Sequence, residues 1–159
     1  MAAYYADLLR RLGHQRWFAR TGRALVPLDR ALHRASRGRW GGIGPSVLPQ
    51  LLLTTTGRTS GLPRQVPLLY ARDGDALVVV ASNWGQAHHP GWSANLIAEP
   101  RAWVQIGGRS CPVLARLASP ADKARVWPLV VQVWPAYDTY AARSGRDLRV
   151  FLLEPVATS

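Results

Sequence analysis

The chain has 159 residues, of which 48% are hydrophobic and 18% charged, and its formal net charge is +11. This length and hydrophobic content are typical of a single folded domain and argue against extensive disorder. The single cysteine, Cys111, excludes an internal disulfide bond, and no apolar run reaches the roughly 20 residues that a membrane-spanning helix needs. Because Arg10 and Arg11 interrupt the first apolar stretch, we expect no signal peptide and a cytoplasmic protein.

The charge is concentrated in arginine and in the N-terminal part of the chain. Nineteen of the twenty basic residues are arginine, whose guanidinium group binds phosphate and carboxylate groups in a bidentate manner. Residues 1–48 contain nine arginines and two aspartates, a net charge of +7. This excess indicates an anionic partner, which composition leaves open as a nucleic acid, an acidic membrane surface or a multiply charged ligand.

Residues 1–48 are predicted to form a basic helical segment. Four apolar residues recur at the spacing of one helix face: Tyr5, Leu8, Leu9 and Leu12. Gly13 is expected to end that helix, and a second, shorter apolar stripe covers 25–35 with Pro27 in its first turn. The glycine-rich stretch 38–49 is expected to be a connector. The first helix carries basic residues beside its apolar stripe, so it is expected either to lie on an anionic membrane or to pack on the rest of the protein.

Residues 49–159 are predicted to form one domain of short strands with flanking helices. The predicted strands are 50–56, 64–72, 76–81, 102–106, 109–117 and 148–153. The predicted helices are 91–98, one that begins at Pro120 with Ser119 as its N-cap, and 137–143. Six short strands in one small domain favour a closed or partly closed β-barrel, so the expected fold is mainly β with flanking helices (α+β).

The densest polar motif is Thr-Thr-Thr-Gly-Arg-Thr-Ser-Gly-Leu-Pro-Arg at 54–64. A strand ends in hydroxyl groups, and a turn with two glycines, Gly57 and Gly61, follows, with Arg58 and Arg64 beside them. Backbone amides, hydroxyls and two guanidinium groups are the groups that bind phosphate. The motif lacks the Gly-Lys-Ser/Thr of a Walker loop. Its chemistry alone leaves open an anion site and an ordinary polar hairpin turn.

Together with later motifs, this turn resembles the deazaflavin (F420)-dependent nitroreductase family of actinobacteria. The further motifs follow in the family's order: Pro67-Leu68, Asp73-Gly74, Val79–Ser82, Pro90-Gly91-Trp92, Asn95–Arg101, Trp127-Pro128, Trp134–Tyr140 and Leu152–Pro155. The resemblance covers about residues 48–156. It implies a split β-barrel, similar to the flavin-mononucleotide-binding barrels, that binds coenzyme F420. The strand count agrees with that fold.

The resemblance also implies the residues that bind the cofactor. The turn at 58–64 would hold its phosphate and glutamate tail, the strand at 65–69 would line its ring, and the start of the helix at 91–95 would meet its phosphate side. The implied set is Arg58, Thr59, Ser60, Arg64, Gln65, Val66, Pro67, Leu68, Leu69, Val80, Ala81, Ser82, Asn83, Gly91, Trp92, Ser93, Ala94 and Asn95. Amides at a helix N-terminus attract anions on physical grounds as well.

A substrate wall is implied by the aromatic residues Trp134, Tyr137 and Tyr140, which recur every three residues. Without the resemblance, such a stripe is more simply explained as part of the core. With it, we expect Tyr137 to donate a hydrogen bond to the electron acceptor, with Ser82 as the second candidate catalytic residue.

Several positions depart from the family pattern. Thr59 stands where a basic residue is common, and Asn83-Trp84-Gly85 stands where Lys-Gly-Gly is frequent, so two positive charges near the tail are missing. The large side chain of Trp84 is expected to narrow the pocket. Ser93 and Trp134 each stand where relatives often have tyrosine.

Other chemistries have weaker signals. The pair His88-His89 lacks further ligands at metal-binding spacing, so no metal is expected. Cys111 is expected to be a buried structural thiol.

The sequence therefore predicts an oxidoreductase that transfers hydride from reduced F420 to a quinone or nitroaromatic acceptor. The alternatives are a non-catalytic carrier of the deazaflavin and a basic nucleic-acid-binding module, although no RNA-binding motif is present. We expect a small-molecule acceptor, no nucleic acid, a monomer or dimer, and membrane contact at the inner face of the cell membrane if the first helix lies on lipid.

Overall fold

The computed structural model describes residues 2–35, 40–41, 44–45 and 48–157. The N-terminal part contains two helices, α1 (Ala2–Leu12) and α2 (Arg16–Ala35), and two short paired strands, β1 (Trp40–Gly41) and β2 (Gly44–Pro45). The remaining elements are β3 (Gln50–Thr56), β4 (Pro63–Leu69), β5 (Ala71–Asp73), β6 (Ala76–Val80), α3 (Gly91–Ala98), β7 (Arg101–Ile106), β8 (Arg109–Leu117), α4 (Pro120–Val133), α5 (Ala136–Ser144) and β9 (Val150–Pro155). A 3-10 turn covers Asn83–Gly85.

Strands β3 to β9 form one antiparallel sheet in the order β4-β3-β7-β8-β9-β6-β5. The two outermost strands, β4 and β5, are consecutive in the chain and are separated only by Tyr70. One bent stretch of chain therefore supplies both edges, and the sheet curls into a half-barrel. The mainly-β split barrel expected from the sequence is confirmed. The strand predicted at 64–72 is divided in two at Tyr70, where the pairing partner changes: Leu69 still pairs with Gln50 of β3, whereas Ala71 pairs with Val78 of β6.

Alternating residues of the sheet build two separate hydrophobic clusters. Leu77 and Val79 of β6 face the barrel interior, where Phe151 of β9 and Trp92 of α3 also lie. Val78 and Val80 face the opposite side, toward α1, α4 and α5. Burial of each such side chain stabilises the fold by roughly 1.5–3 kcal/mol. The second cluster docks α1, α4 and α5 on the sheet, whereas α3 packs into the first.

The N-terminal helices are attached to α4 and α5 by side chain to backbone hydrogen bonds. The Arg10 guanidinium donates to the carbonyl of Val133 (3.2 Å), the last residue of α4. The hydroxyl of Tyr140 donates to the carbonyl of Gly13 (2.9 Å). Leu9 of α1 is buried in the cluster between helices and sheet. Of the two placements considered for the first helix, packing on the barrel is present, although one face of it stays exposed.

The second helix differs from its prediction. It begins at Arg16 rather than near residue 25 and contains Pro27 in its interior. Within this helix, Gly22 lies where the indole of Trp84 approaches. A Cβ built on Gly22 would lie 2.5 Å from that ring, so the helix backbone contacts the aromatic side chain directly.

Local signals elsewhere predicted the elements closely. Ser119 caps α4, as predicted, because its hydroxyl accepts from the Asp122 amide (3.1 Å) and the Asp122 carboxylate accepts from the Ser119 amide (3.3 Å). The last strand runs two residues beyond its prediction, because Pro155 still pairs with Val113 of β8. In the part of the chain that the structure describes, no helix is both long and apolar enough to cross a membrane.

Candidate active site

A polar cleft of about 540 Å³ lies between the β3–β4 turn and the N-terminus of α3. The turn closes through hydrogen bonds from the Gly57 amide to the Leu62 carbonyl (2.8 Å) and from the Gly61 amide to the Gly57 carbonyl (2.7 Å). Gly61 has a φ of 68°, in the left-handed region that glycine adopts without strain. A Cβ on Gly57 would lie 2.6 Å from the Ser60 hydroxyl. Both glycines are therefore required by the shape of the turn.

Asn95 of α3 joins the helix to this turn. Its amide oxygen accepts from the backbone amide and from the guanidinium of Arg58, each at 3.2 Å. Its amide nitrogen donates to the hydroxyl of Thr55 (3.1 Å), a buried residue of β3. Only 6% of Asn95 is exposed, so its polar atoms are occupied by the protein. Asn95 consequently acts on the cleft by orienting Arg58.

Two guanidinium groups of the turn remain available to a ligand. Arg58 and Arg64 are both exposed, and neither forms an ion pair with any residue that the structure describes. Arg64 donates to the hydroxyl of Ser60 (3.3 Å), which also accepts from the Leu62 amide (3.2 Å). The cleft thus has two unneutralised cations and hydroxyl groups beside a helix N-terminus, which is the composition of an anion site.

An apolar cleft of about 550 Å³ adjoins the polar one. Val66 and Trp92 line both clefts, so the two form one groove with a cationic end and an apolar end. The sheet, the turn after β6 and α5 supply one wall: Val66, Pro67, Leu68, Leu69, Val80, Ser82, Asn83, Trp84, Trp134, Tyr137 and Tyr140. The N-terminal helices supply the opposite wall: Tyr5, Leu9, Trp17, Phe18, Thr21, Gly22, Arg23 and Leu25. A mainly apolar pocket with a few polar groups is typical of a small-molecule site.

The two tyrosines of α5 have different roles. Tyr140 is 1% exposed and its hydroxyl is occupied by the Gly13 carbonyl. Tyr137 is 6% exposed, and its hydroxyl has no hydrogen-bond partner among the described residues. Burial, and secondarily the neighbouring Tyr140, raises the pKa of the Tyr137 phenol well above its ordinary value. Tyr137 therefore keeps its proton at neutral pH and has an unused donor in an apolar site.

The structure brings most of the implied site residues to the groove. Those on the polar cleft are Arg58, Thr59, Ser60, Arg64, Gln65, Val66, Gly91, Trp92 and Asn95. Those on the apolar cleft are Val66, Pro67, Leu68, Leu69, Val80, Ser82, Asn83, Trp92, Trp134, Tyr137 and Tyr140. The remaining three, Ala81, Ser93 and Ala94, line neither cleft.

Ala81, after β6, and Ser93 of α3 lie on the side of their elements that faces away from the groove. Ala81 belongs to the cluster inside the barrel, together with Leu77 and Val79. Ser93 is fully buried; its hydroxyl donates to the Pro90 carbonyl (2.9 Å) and accepts from Arg149 (3.3 Å). The prediction that Cys111 is a buried thiol is wrong, since this residue is exposed near the β7–β8 hairpin.

His89, the second residue of the histidine pair, lies among arginine side chains. His89 Nδ1 lies 2.8 Å from the Arg146 guanidinium. Burial, and then the charges of Arg149 and Arg146, lower the pKa of His89. Within the described residues, no group of three or more histidine, cysteine or acidic side chains has metal-site geometry.

Residues 28–155 match the family described as F420H(2)-dependent quinone reductase. The chain belongs to this family. The resemblance to F420-dependent reductases is therefore confirmed, with a quinone in the family's description where the resemblance named nitro compounds.

Individual relatives agree with the family assignment. An F420H(2)-dependent quinone reductase of Mycobacterium tuberculosis is 39% identical over 142 residues, which cover 87% of this chain and 95% of the relative. Among solved structures, an F420-H2 dependent reductase is 36% identical with a TM-score of 0.62, covering 67% of this chain and 94% of that one. A structure described as a domain-swapped dimer is 33% identical with a TM-score of 0.63, covering 80% and 99% of the two chains.

The N-terminal wall of the apolar cleft was not predicted from the sequence. The resemblance begins near residue 48, so it assigned no site role to α1 or α2. The apolar stripe of α1 was a usable signal, since Tyr5 and Leu9 both line the cleft.

Proposed function

We propose that this protein is an F420H2-dependent oxidoreductase that reduces a quinone. The observation that carries the proposal is the joining of a cationic cleft and an apolar cleft through Val66 and Trp92. Coenzyme F420 has a matching division, with a phosphodiester and glutamate tail at one end and a planar, largely apolar ring at the other. When bound, the reduced cofactor supplies the hydride.

The β3–β4 turn would hold the anionic end. Arg58 and Arg64 have no acidic partner among the described residues, and Ser60 lies within hydrogen-bond distance of Arg64. Guanidinium groups in this state can pair with phosphate or carboxylate oxygens without first breaking an ion pair. The hydroxyl of Thr59 stands where a basic residue is common, so this end carries less charge than the family pattern implies.

The apolar cleft would hold the ring and the quinone against each other. Its aromatic and aliphatic walls exclude water and orient two planar molecules. Tyr137 would donate a hydrogen bond to the quinone oxygen on which negative charge develops, because its raised pKa keeps the phenol protonated. Ser82, which also lines the cleft, is the second candidate donor.

We also propose that the exposed face of α1 and α2 lies on an anionic membrane surface. Three large apolar side chains of these helices are exposed: Tyr4 of α1 (78%), and Trp17 (57%) and Leu28 (54%) of α2. Arginines accompany these residues on both helices. Basic helices with exposed apolar side chains bind anionic bilayers, where quinones also partition. Co-sedimentation with anionic vesicles should fall when Tyr4 and Trp17 are replaced by serine, and equal binding of the variant would contradict this role.

Fluorescence titration of the purified protein with F420 and with flavin mononucleotide tests the cofactor. F420 should bind more tightly, and Arg64→Ala should weaken its binding by about 1.5–3 kcal/mol, the scale of a hydrogen bond to a charged group. The control is Arg125→Ala, an exposed arginine that pairs with Asp73 and Asp122. Equal or tighter binding of flavin mononucleotide would refute the cofactor. Tight F420 binding without reduction of any of several quinones would instead favour the carrier.

A further inference from the structure

The turn that follows β6 contains two non-glycine residues in the left-handed region. Asn83 has a φ of 46° and Trp84 a φ of 57°. Asparagine tolerates this conformation, but for a bulky residue such as tryptophan it is an outlier that the surrounding structure has to maintain. Ser82, Asn83 and Trp84 all line the apolar cleft. The geometry of this turn therefore sets part of the wall of the cleft.

Trp84 also sets the distance between the turn and the opposite wall. Its indole lies against Gly22 of α2, so close that a Cβ on Gly22 would be 2.5 Å from the ring. On the other side, Gly85 lies against Tyr140 of α5, where a Cβ would be 3.2 Å from the ring. The turn is thus packed between two helices that both line the cleft, and a shift of its backbone would change the shape of the cleft.

Arg146 spans this turn from the segment between α5 and β9. Its guanidinium donates to three backbone carbonyls: those of Ala81 (3.1 Å), Ser82 (2.9 Å) and Gln86 (3.0 Å). The first two carbonyls precede the left-handed residues and the third follows them. Arg146 forms no ion pair with any described residue. Besides the three carbonyls, its guanidinium contacts the ring of His89, which lies four residues after Gly85 (2.8 Å to Nδ1). A planar guanidinium can donate in several fixed directions at once, whereas an ammonium group is a single point of charge.

We propose that Arg146 is a positioning residue, which holds the Ser82–Gln86 turn in its left-handed conformation and thereby shapes the apolar cleft. The inference rests on the proposed function, since it takes this cleft as the place where the ring and the quinone meet. The residues lining the polar cleft lie on other elements, and none of them forms a hydrogen bond with the Arg146 guanidinium. Loss of Arg146 should therefore affect the acceptor more than the binding of the cofactor.

Amide hydrogen exchange tests, in the cofactor-free protein, whether Arg146 holds the Ser82–Gln86 turn. In the free protein, the amides of Gly85 and Gln86 donate to the carbonyls of Ser82 (2.9 Å) and Asn83 (3.1 Å), so both should exchange slowly. Arg146→Ala should accelerate their exchange by roughly tenfold or more, because local opening no longer breaks the guanidinium bonds. Arg146→Lys should give an intermediate rate, and the surface control Arg125→Ala should match the wild type.

Steady-state kinetics with F420H2 and menadione tests the consequence. All variants are measured well below their melting temperatures. The kcat/KM for menadione should fall roughly tenfold in Arg146→Ala and less in Arg146→Lys. In both variants this fall should exceed the change in the Kd for F420. If Arg146→Ala does not fold, Arg146→Lys carries both measurements. Unchanged exchange in these variants would overturn the proposal, and so would faster exchange with kcat/KM at the wild-type level. A wild-type protein that fails to bind F420 would refute the proposed function, while the exchange measurement would still decide whether Arg146 holds the turn.

Discussion

The substitution Tyr137→Phe tests whether the Tyr137 hydroxyl takes part in the reaction or stabilises the fold. The substitution removes one oxygen from a side chain that is 6% exposed and leaves its ring in contact with those of Trp127 and Tyr140. No described residue loses a hydrogen bond, because the hydroxyl has no partner among them. The melting temperature should therefore stay the same or rise, since an unsatisfied buried hydroxyl costs about 1–3 kcal/mol in the folded state.

The activity should change in the opposite direction. If the phenol donates to the quinone oxygen as charge develops, its removal costs about 1.5–3 kcal/mol of transition-state stabilisation, which corresponds to a loss of roughly tenfold to a hundredfold in kcat. The affinity for F420 should be unchanged, because the interaction is made with the acceptor.

Tyr140→Phe is the matched control, since it removes the same atom from a residue one turn away. Its hydroxyl donates to the carbonyl of Gly13, so the variant should lose about 1 kcal/mol of stability and loosen the N-terminal helices. Its kcat should fall less than that of Tyr137→Phe. Menadione reduction, F420 titration and thermal unfolding of both variants provide the comparison. A fully active Tyr137→Phe would remove Tyr137 as the donor and leave Ser82, and a strongly destabilised one would mean that the hydroxyl serves the fold.

Two further predictions concern the contacts around the turn after β6. Gly22→Ala should gain about 1 kcal/mol from helix propensity, but it forces a methyl group against Trp84, which costs about 1–3 kcal/mol. The single variant should therefore be destabilised. In a Trp84→Gly background, where the ring is absent, the same change should be stabilising. Denaturant unfolding of the four proteins decides this, and a stabilised single variant would contradict the contact. The pKa of His89 is lowered when the protein is folded, so the stability that its neutral ring contributes is complete above about pH 6.5, the ordinary value, and should be lost as the pH falls below that value and through the lower pKa of the folded protein. His89→Gln should lose less stability than the wild type between about pH 7.5 and pH 5.5, and equal losses would show that His89 is not the group responsible.

Elements whose signals are local were predicted from the sequence almost to the residue. Strand β3, helix α3 and strand β8 have the predicted bounds, and Ser119 caps α4 as expected. Each is delimited by its own glycine, proline or capping residue. The break of the second strand at Tyr70 was not predictable in this way, because the chain changes there from pairing with β3 to pairing with β6, and only folding brings those two strands to it.

The candidate site shows the same contrast between contiguous motifs, which were predicted, and contacts between distant segments, which were not. The turn at 54–64 was predicted as a unit, since its glycines, hydroxyls and arginines are contiguous. Ala81 lines neither cleft, because the two-residue period of β6 places it on the side of Leu77 and Val79 rather than on that of Val80. The α1–α2 wall depends on packing between distant segments, so the sequence offered only the amphipathic stripe as a signal.

The arginines show why net charge overstates the capacity of this protein for anions. Several of them neutralise acidic groups, as Arg116 does for Asp122 and Glu154. Others serve the backbone: Arg10 donates to the carbonyl of Val133, and Arg143 to that of His14 (2.7 Å). Because guanidinium groups are multiple donors with weak hydration, they can fill such places at the ends of helices. A net charge of +11 is therefore compatible with a small anion site, and the guanidinium groups of the β3–β4 turn are better evidence for the ligand than the total charge.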